Sequence, residues 1–218
     1  MRFLPFALAA LVLFAATDGS AKPRQRPSPR RATGAAYRAH VQKWHAKASD
    51  ARAPTGASGR PMLVIENVNT GARAELEAET DQGGFDESAQ ARAASVLGDS
   101  RRDAERVMDP ALLDLLYRLQ RRFDAPCIRV VSAYRAGGSS QHARGRAADV
   151  VVPGVEDREV ATWARSLGHT GVGLYPRSGF VHVDVRESPH YWVDASGPGE
   201  SGVRKRKPGK KSPRSARP

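Results

Sequence analysis

The chain has 218 residues, 35 Lys and Arg against 23 Asp and Glu for a formal charge of +12, and one cysteine, Cys127. A single thiol excludes an internal disulfide and a cysteine-built structural zinc site. The charge suggests a nucleic-acid binder only until it is located. Residues 22–60 hold ten basic residues against Asp50, residues 203–218 hold eight and no acid, and residues 61–202 hold 16 against 21 acidic ones, a net of −5.

In chain order, "MRFLPFALAALVLFAATDGSA" (1–21) has one early positive charge, Arg2, an apolar run from Phe3 to Ala16, and the small residues Gly19 and Ala21 at its close. The run is shorter than the about 20 residues that cross a bilayer, so the pattern predicts a cleaved export signal and a periplasmic or cell-wall location. Cys127 is far from that run and cannot be a lipid-anchor cysteine; it is expected to be a small buried hydrophobe. Segments 22–60 and 203–218 are basic and rich in Pro, Gly and Ser, a composition that buries no core. The first is expected to be a linker with a helix inside "AAYRAHVQKWHAKA" (35–48), the second a disordered tail. In an exported protein such arms attract cell-wall polymers or membrane headgroups, and nucleic acid is not expected as a partner.

Residues 61–202 leave one domain, long enough for a single core. "MLVIENVNTGARAELEA" (62–78) reads as two strands around Asn69-Thr70-Gly71. The segment 85–107 reads as partly helical. "DPALLDLLYRLQRRFD" (109–124) is a helix: Asp109 caps it, Pro110 takes the first turn, and Leu112, Leu115, Leu116, Leu119 and Phe123 form one face. "CIRVVSAYR" (127–135) and "AADVVVP" (147–153) read as strands, and "EDREVATWARSLG" (156–168) as an amphipathic helix ended by Gly168. "GFVHVDVR" (179–186) alternates, with Val181, Val183 and Val185 on one face and Phe180, His182 and Asp184 on the other. The order lacks a regular βαβ alternation, which predicts an α+β fold, with a small antiparallel sheet flanked by helices.

His142, Asp149 and His182 each project from a strand or its adjoining turn. Two imidazoles and a carboxylate suit one Zn²⁺ with an open fourth position, the arrangement of catalytic zinc. His40, His45, His169 and His190 have no comparable setting and are expected to be surface or supporting residues. Gly145 lets the backbone turn between His142 and the strand bearing Asp149.

"SSQHARGRAADV" followed by "GFVHVD" resembles the S-x-H-x-x-G-x-A-x-D and H-x-D signatures of the zinc D-Ala-D-Ala carboxypeptidase and murein endopeptidase family. "IENVNTGARAEL", "MDPALLDLLYRLQ", "VVSAYRA" and "GVGLYPRSGFVHVDV" resemble, in order, the YcbK-like subgroup of exported murein endopeptidases, over residues 62–194. The resemblance implies a hedgehog/DD-peptidase fold with the zinc site on the sheet face, peptidoglycan as substrate, and a monomer. It implies His142, Asp149 and His182 as zinc ligands, Arg135 as the arginine facing substrate or the developing oxyanion, and Ser140 as a substrate-binding serine. Two departures stand out. The stretch between "SAYR" and "SSQH" is only "AGG", shorter than in many relatives. Carboxypeptidase relatives also carry a Glu or His two or three residues before the last ligand, where this chain has Gly179 and Phe180. Asp184 is then the nearest acid by sequence, either as the base that takes a proton from water or as the group that orients His182. A zinc-containing wall-binding module without turnover, and a polyanion-binding protein acting through its arms, are the rival readings.

Overall fold

The computed structural model describes residues 34–49 and 52–198; the expected export signal, the start of the basic linker and the tail from 203 lie outside the described residues. Eleven elements follow in chain order. They are α1 (Gly34–His45), β1 (Leu63–Asn67), β2 (Arg73–Leu76), α2 (Glu87–Leu97), α3 (Pro110–Arg122), β3 (Ile128–Ser132), β4 (Ala147–Val151), α4 (Asp157–Ser166), β5 (Thr170–Tyr175), β6 (Phe180–Val185) and β7 (His190–Val193). The class is α+β, with one seven-stranded sheet in the order β2-β1-β3-β4-β6-β5-β7. The sheet is larger than the sequence suggests and is mixed, since β1 pairs with β3 and β5 with β7 in parallel. The other four pairings are antiparallel.

Local chemistry explains the element ends. A side-chain oxygen of Asp109 accepts the Ala111 N–H at 3.0 Å at the start of α3, and Asp86 accepts the Ala89 N–H at 2.7 Å at the start of α2. In the β1–β2 turn, the Asn67 side-chain oxygen accepts the N–H groups of Asn69 and Thr70. Val130, Val150, Val172, Val181, Val183 and Val185 join Leu112, Leu116, Leu119, Val160 and Ala164 in one core. Burying each such aliphatic side chain contributes about 1.5–3 kcal/mol. Helix α2 packs on β1 and β2, α3 on β1 and β6, and α4 on β5 and β6. These contacts hold one face of the sheet rigid, and the polar residues of β4 and β6 project from the other. Cys127 is buried, and burial pushes its thiol up to about 12.

Helix α1 docks on the domain. The Tyr37 hydroxyl donates to the Ser178 carbonyl at 2.8 Å, and Trp44 is buried. Arg129 Nη1 donates to the carbonyls of Trp44 and Ala46 at 2.7 and 2.6 Å, satisfying carbonyls at the helix end. His45 lies between two acceptors: Nε2 is 3.1 Å from Asp157 and Nδ1 is 2.9 Å from the Val41 carbonyl. Only the imidazolium donates to both at once. The hydrogen bond to Asp157, chiefly, raises the His45 pKa against the opposing effect of burial. Because the folded pKa is raised, this contribution to α1 docking is complete below the ordinary imidazole value of about 6.5 and is lost as pH rises through the raised value. Amide hydrogen-exchange protection factors over 34–45 are therefore expected to be higher at low pH than at high pH, and His45→Gln is expected to flatten the dependence.

Candidate metal centre

Strands β4 and β6 are antiparallel neighbours whose register sets Asp149 directly opposite His182. Directly opposed residues share a face, so both side chains project to the side away from α2–α4. His142 reaches the same point from the turn before β4. That turn is closed by the Gly145 N–H donating to the His142 carbonyl at 3.2 Å, with Gly145 at φ +71°, a conformation that favours glycine. The Asp109 N–H donates to the Gly145 carbonyl at 2.9 Å, tying the turn to the start of α3.

His142 Nε2 is 3.1 Å from His182 Nδ1 and 3.4 Å from Asp149 Oδ1, and His182 Nδ1 is 2.9 Å from the same Asp149 oxygen. All three residues are buried. Their other bonds fix the tautomers. His142 Nδ1 lies 2.6 Å from the Ala133 carbonyl, which can only accept, so Nδ1 carries the hydrogen and Nε2 presents a lone pair. His182 Nε2 lies 2.9 Å from Asp184 Oδ2, so that nitrogen donates and Nδ1 presents its lone pair. Two lone pairs and a carboxylate oxygen then face one another. Such a triangle requires a cation, either a proton or a metal ion. Ligands about 2.0–2.2 Å from a tetrahedral ion lie about 3.3 Å apart, so the observed separations fit one ion.

The electrostatics agree. Burial alone would raise the Asp149 carboxyl, but hydrogen bonds to His142 and His182 outweigh it and hold it well below the usual carboxylate range. Burial likewise opposes protonation of His182, while its bonds to Asp149 and Asp184 raise its pKa. Asp184 is fully buried; burial would raise it, but bonds to His182 and Arg186 bring it to about 2. Arg186 donates to both oxygens of Asp184, Nε at 2.6 Å and Nη2 at 2.5 Å. Asp184 therefore sits behind the His182 ring, on the side away from Nδ1. Arg135 is exposed, with Nη2 3.7 Å from Asp149 Oδ2. Ser140 is also exposed, and its hydroxyl oxygen accepts the Ala143 N–H at 3.2 Å within the turn. Gly179 and Phe180 bring no acid to the site; Phe180 stacks on Tyr175 with ring centroids 4.6 Å apart.

The family model described as peptidoglycan L,D-endopeptidase MepK matches residues 55–191. The chain belongs to the MepK family. The peptidoglycan L,D-endopeptidase MepK of Escherichia coli strain K12 is 29% identical over 153 residues, which covers 63% of this chain and 84% of that protein. A probable peptidoglycan L,D-endopeptidase MepK of Haemophilus influenzae is 30% identical over 140 residues, covering 57% of this chain and 75% of that protein. No solved structure matches at the same stringency. The stretch matched by the MepK family model contains the whole triangle together with Arg135, Ser140, Asp184 and Arg186. Helix α1 lies before it.

Several residues around the triangle were not singled out from sequence. Arg186 anchors Asp184. Trp192 lies over His182, ring centroids 5.1 Å apart, and its indole N–H donates to the Tyr175 hydroxyl at 3.0 Å. The available signal was "GVG" in β5. Gly171 is opposite Asp184 and Gly173 opposite His182, and a Cβ on Gly173 would collide with the Trp192 ring. At Gly171 an added Cβ would collide with Asp184 Oδ2 and the Arg186 guanidinium. Gly171→Ala is expected to push Asp184 off His182 and weaken Zn²⁺ binding by about 10-fold or more, read by competition with a chromophoric chelator. Unchanged affinity would show that the Asp184–His182 bond does not support the site.

Proposed function

We propose that this chain is a zinc-dependent peptidoglycan endopeptidase exported from the cytoplasm. The observation that carries the reading is the buried triangle of two imidazole lone pairs and a carboxylate, on a chain of the MepK family. His142 Nε2, His182 Nδ1 and Asp149 would hold the ion. Zn²⁺ bound there supplies Lewis acidity, polarising a peptide carbonyl and acidifying water. The names of the relatives support the L,D peptide bond as the one cut.

The chain's own residues do the rest. Arg135 would donate to the scissile carbonyl oxygen as negative charge develops on it, a role supported by its exposure and its 3.7 Å distance from Asp149. Asp184 acts through His182: it fixes the Nε2–H tautomer and holds the ring in the ligating orientation. This is the orienting alternative, and the placement behind the ring argues against the base. Ser140 stands at the mouth of the ligand turn, where its hydroxyl hydrogen can reach a bound peptide. The apolar run 3–16 supports export, and no helix among the described residues is long and apolar enough to cross a membrane. The basic segments 22–60 and 203–218 would hold the enzyme, as a monomer, to anionic wall or membrane surfaces.

Digestion of purified sacculi by the zinc-loaded protein is expected to release peptides from L,D-linked muropeptides, with activity abolished by chelation. Arg135→Ala is expected to lower kcat by about 10²–10³ at unchanged zinc content. Asp184→Asn is expected to bind zinc about 10–100-fold more weakly and to regain activity when the ion is supplied in excess. A zinc-saturated but inactive Asp184→Asn would return the role of base to Asp184. Saturation with zinc and binding to sacculi, without any release of peptide, would favour the silent wall-binding module.

A further inference from the structure

A second concavity opens beside the metal centre, and apart from Ser140 and the Asp184-bound face of Arg186 the roles above leave its lining unused. It measures about 440 Å³ and is lined by Ser139, Ser140, Gln141, Arg144, Arg186 and Ser188. The lining has two guanidinium groups, three hydroxyls and no acid. Residues 61–202 carry a net charge of −5, so a purely cationic concavity is a local feature and not a reflection of the surrounding charge. Arg144 is exposed, and among the described residues its side chain has no hydrogen-bond or ionic partner. Arg186 gives Nε and Nη2 to Asp184, which leaves Nη1 with two donor hydrogens and no partner among the described residues. The Ser140 oxygen accepts from Ala143, so its own hydrogen is free to donate.

The frame around these donors is fixed. Gln141 Nε2 donates to the Val185 carbonyl at 3.2 Å, joining the ligand turn to β6, and the Arg146 N–H donates to the Gln141 carbonyl at 2.9 Å. Ser140 and Gln141 directly precede His142, and Arg186 follows Asp184 by two residues. The concavity is thus built on the two segments that present the metal ligands. A neighbouring concavity shares Arg186 and adds Arg118, Arg146 and His169, but Asp114 and Glu187 also line it, so it is not purely cationic.

We propose that Arg144 and Arg186 form a carboxylate-binding subsite, taking a free carboxylate of the peptide substrate while the metal centre faces the bond to be cut. Guanidinium groups suit carboxylates because their planar N–H pairs match the two oxygens. The inference rests on the endopeptidase reading and adds to it the feature of the substrate that this chain recognises.

The test uses a cross-linked muropeptide dimer purified from sacculi and the same dimer with its carboxylates converted to methylamides. Zinc-loaded wild type and Arg144→Gln are compared by calorimetric binding and by kcat and KM, with zinc content measured for both. Arg144→Gln is expected to weaken binding of the free acid, and to raise its KM, by about 10-fold or more while kcat is unchanged. On the methylamide the two proteins are expected to behave alike. Equal binding of the free acid by wild type and Arg144→Gln, or no binding by the wild type, overturns the subsite. Wild-type binding that weakens in Arg144→Gln without any cleavage supports the subsite and overturns the endopeptidase reading instead.

Discussion

The structure turns on three acceptor atoms that face one another in a buried space. Each imidazole has committed its hydrogen elsewhere, His142 to the Ala133 carbonyl and His182 to Asp184. What remains is electron density from three sides, which is unfavourable until a cation neutralises it. The bonds of His182 to Asp149 and Asp184 raise its pKa against burial, so the surroundings favour positive charge at this point.

The sheet supplies the constraint. The antiparallel β4–β6 pairing sets Asp149 beside His182, and the irregularity between Val130 and Ser132 in β3 comes just before the Ala133 carbonyl that receives His142. On the next strand Gly171 and Gly173 remove the Cβ atoms that would crowd the Asp184–Arg186 pair and Trp192. His182 and Asp184 on this face are therefore buried, with Asp184 wholly inaccessible. The helices on the opposite face let these positions be held to the tolerance that a metal site requires.

Much of this was legible in the sequence because its signals are local. The cap at Asp109, the leucine stripe of α3 and the alternation of "GFVHVDVR" mark elements whose bounds the structure shifts by only a residue or two. The convergence of His142, Asp149 and His182 was legible because the three sit in the paired motifs "SSQHARGRAADV" and "GFVHVD". Strands β5 and β7 were not. "TGVGLY" carries two glycines that weaken strand propensity, and their reason, the side chains opposite, exists only once the sheet is formed. β7 is a four-residue edge strand, exposed at His190, Tyr191 and Val193, without a buried alternation to read. The docking of α1 was equally invisible, because its anchors Ser178, Arg129 and Asp157 lie 83 or more residues away in sequence. The role of Asp184 stayed open in sequence because adjacency to His182 fits both a base and an orienting group; the contact with His182 Nε2, on which the proposed orienting role rests, exists only in the folded sheet.

The central claim is that His142, Asp149 and His182 hold one zinc ion. X-ray absorption at the zinc edge tests it most directly on the zinc-loaded chain, beside His182→Ala. The account predicts one ion per chain with two imidazole nitrogens and carboxylate oxygen at about 2.0–2.2 Å and no sulfur, and loss of stoichiometric binding in His182→Ala. A chain that takes up no stoichiometric zinc, or one whose zinc spectrum is unchanged by His182→Ala, would contradict it.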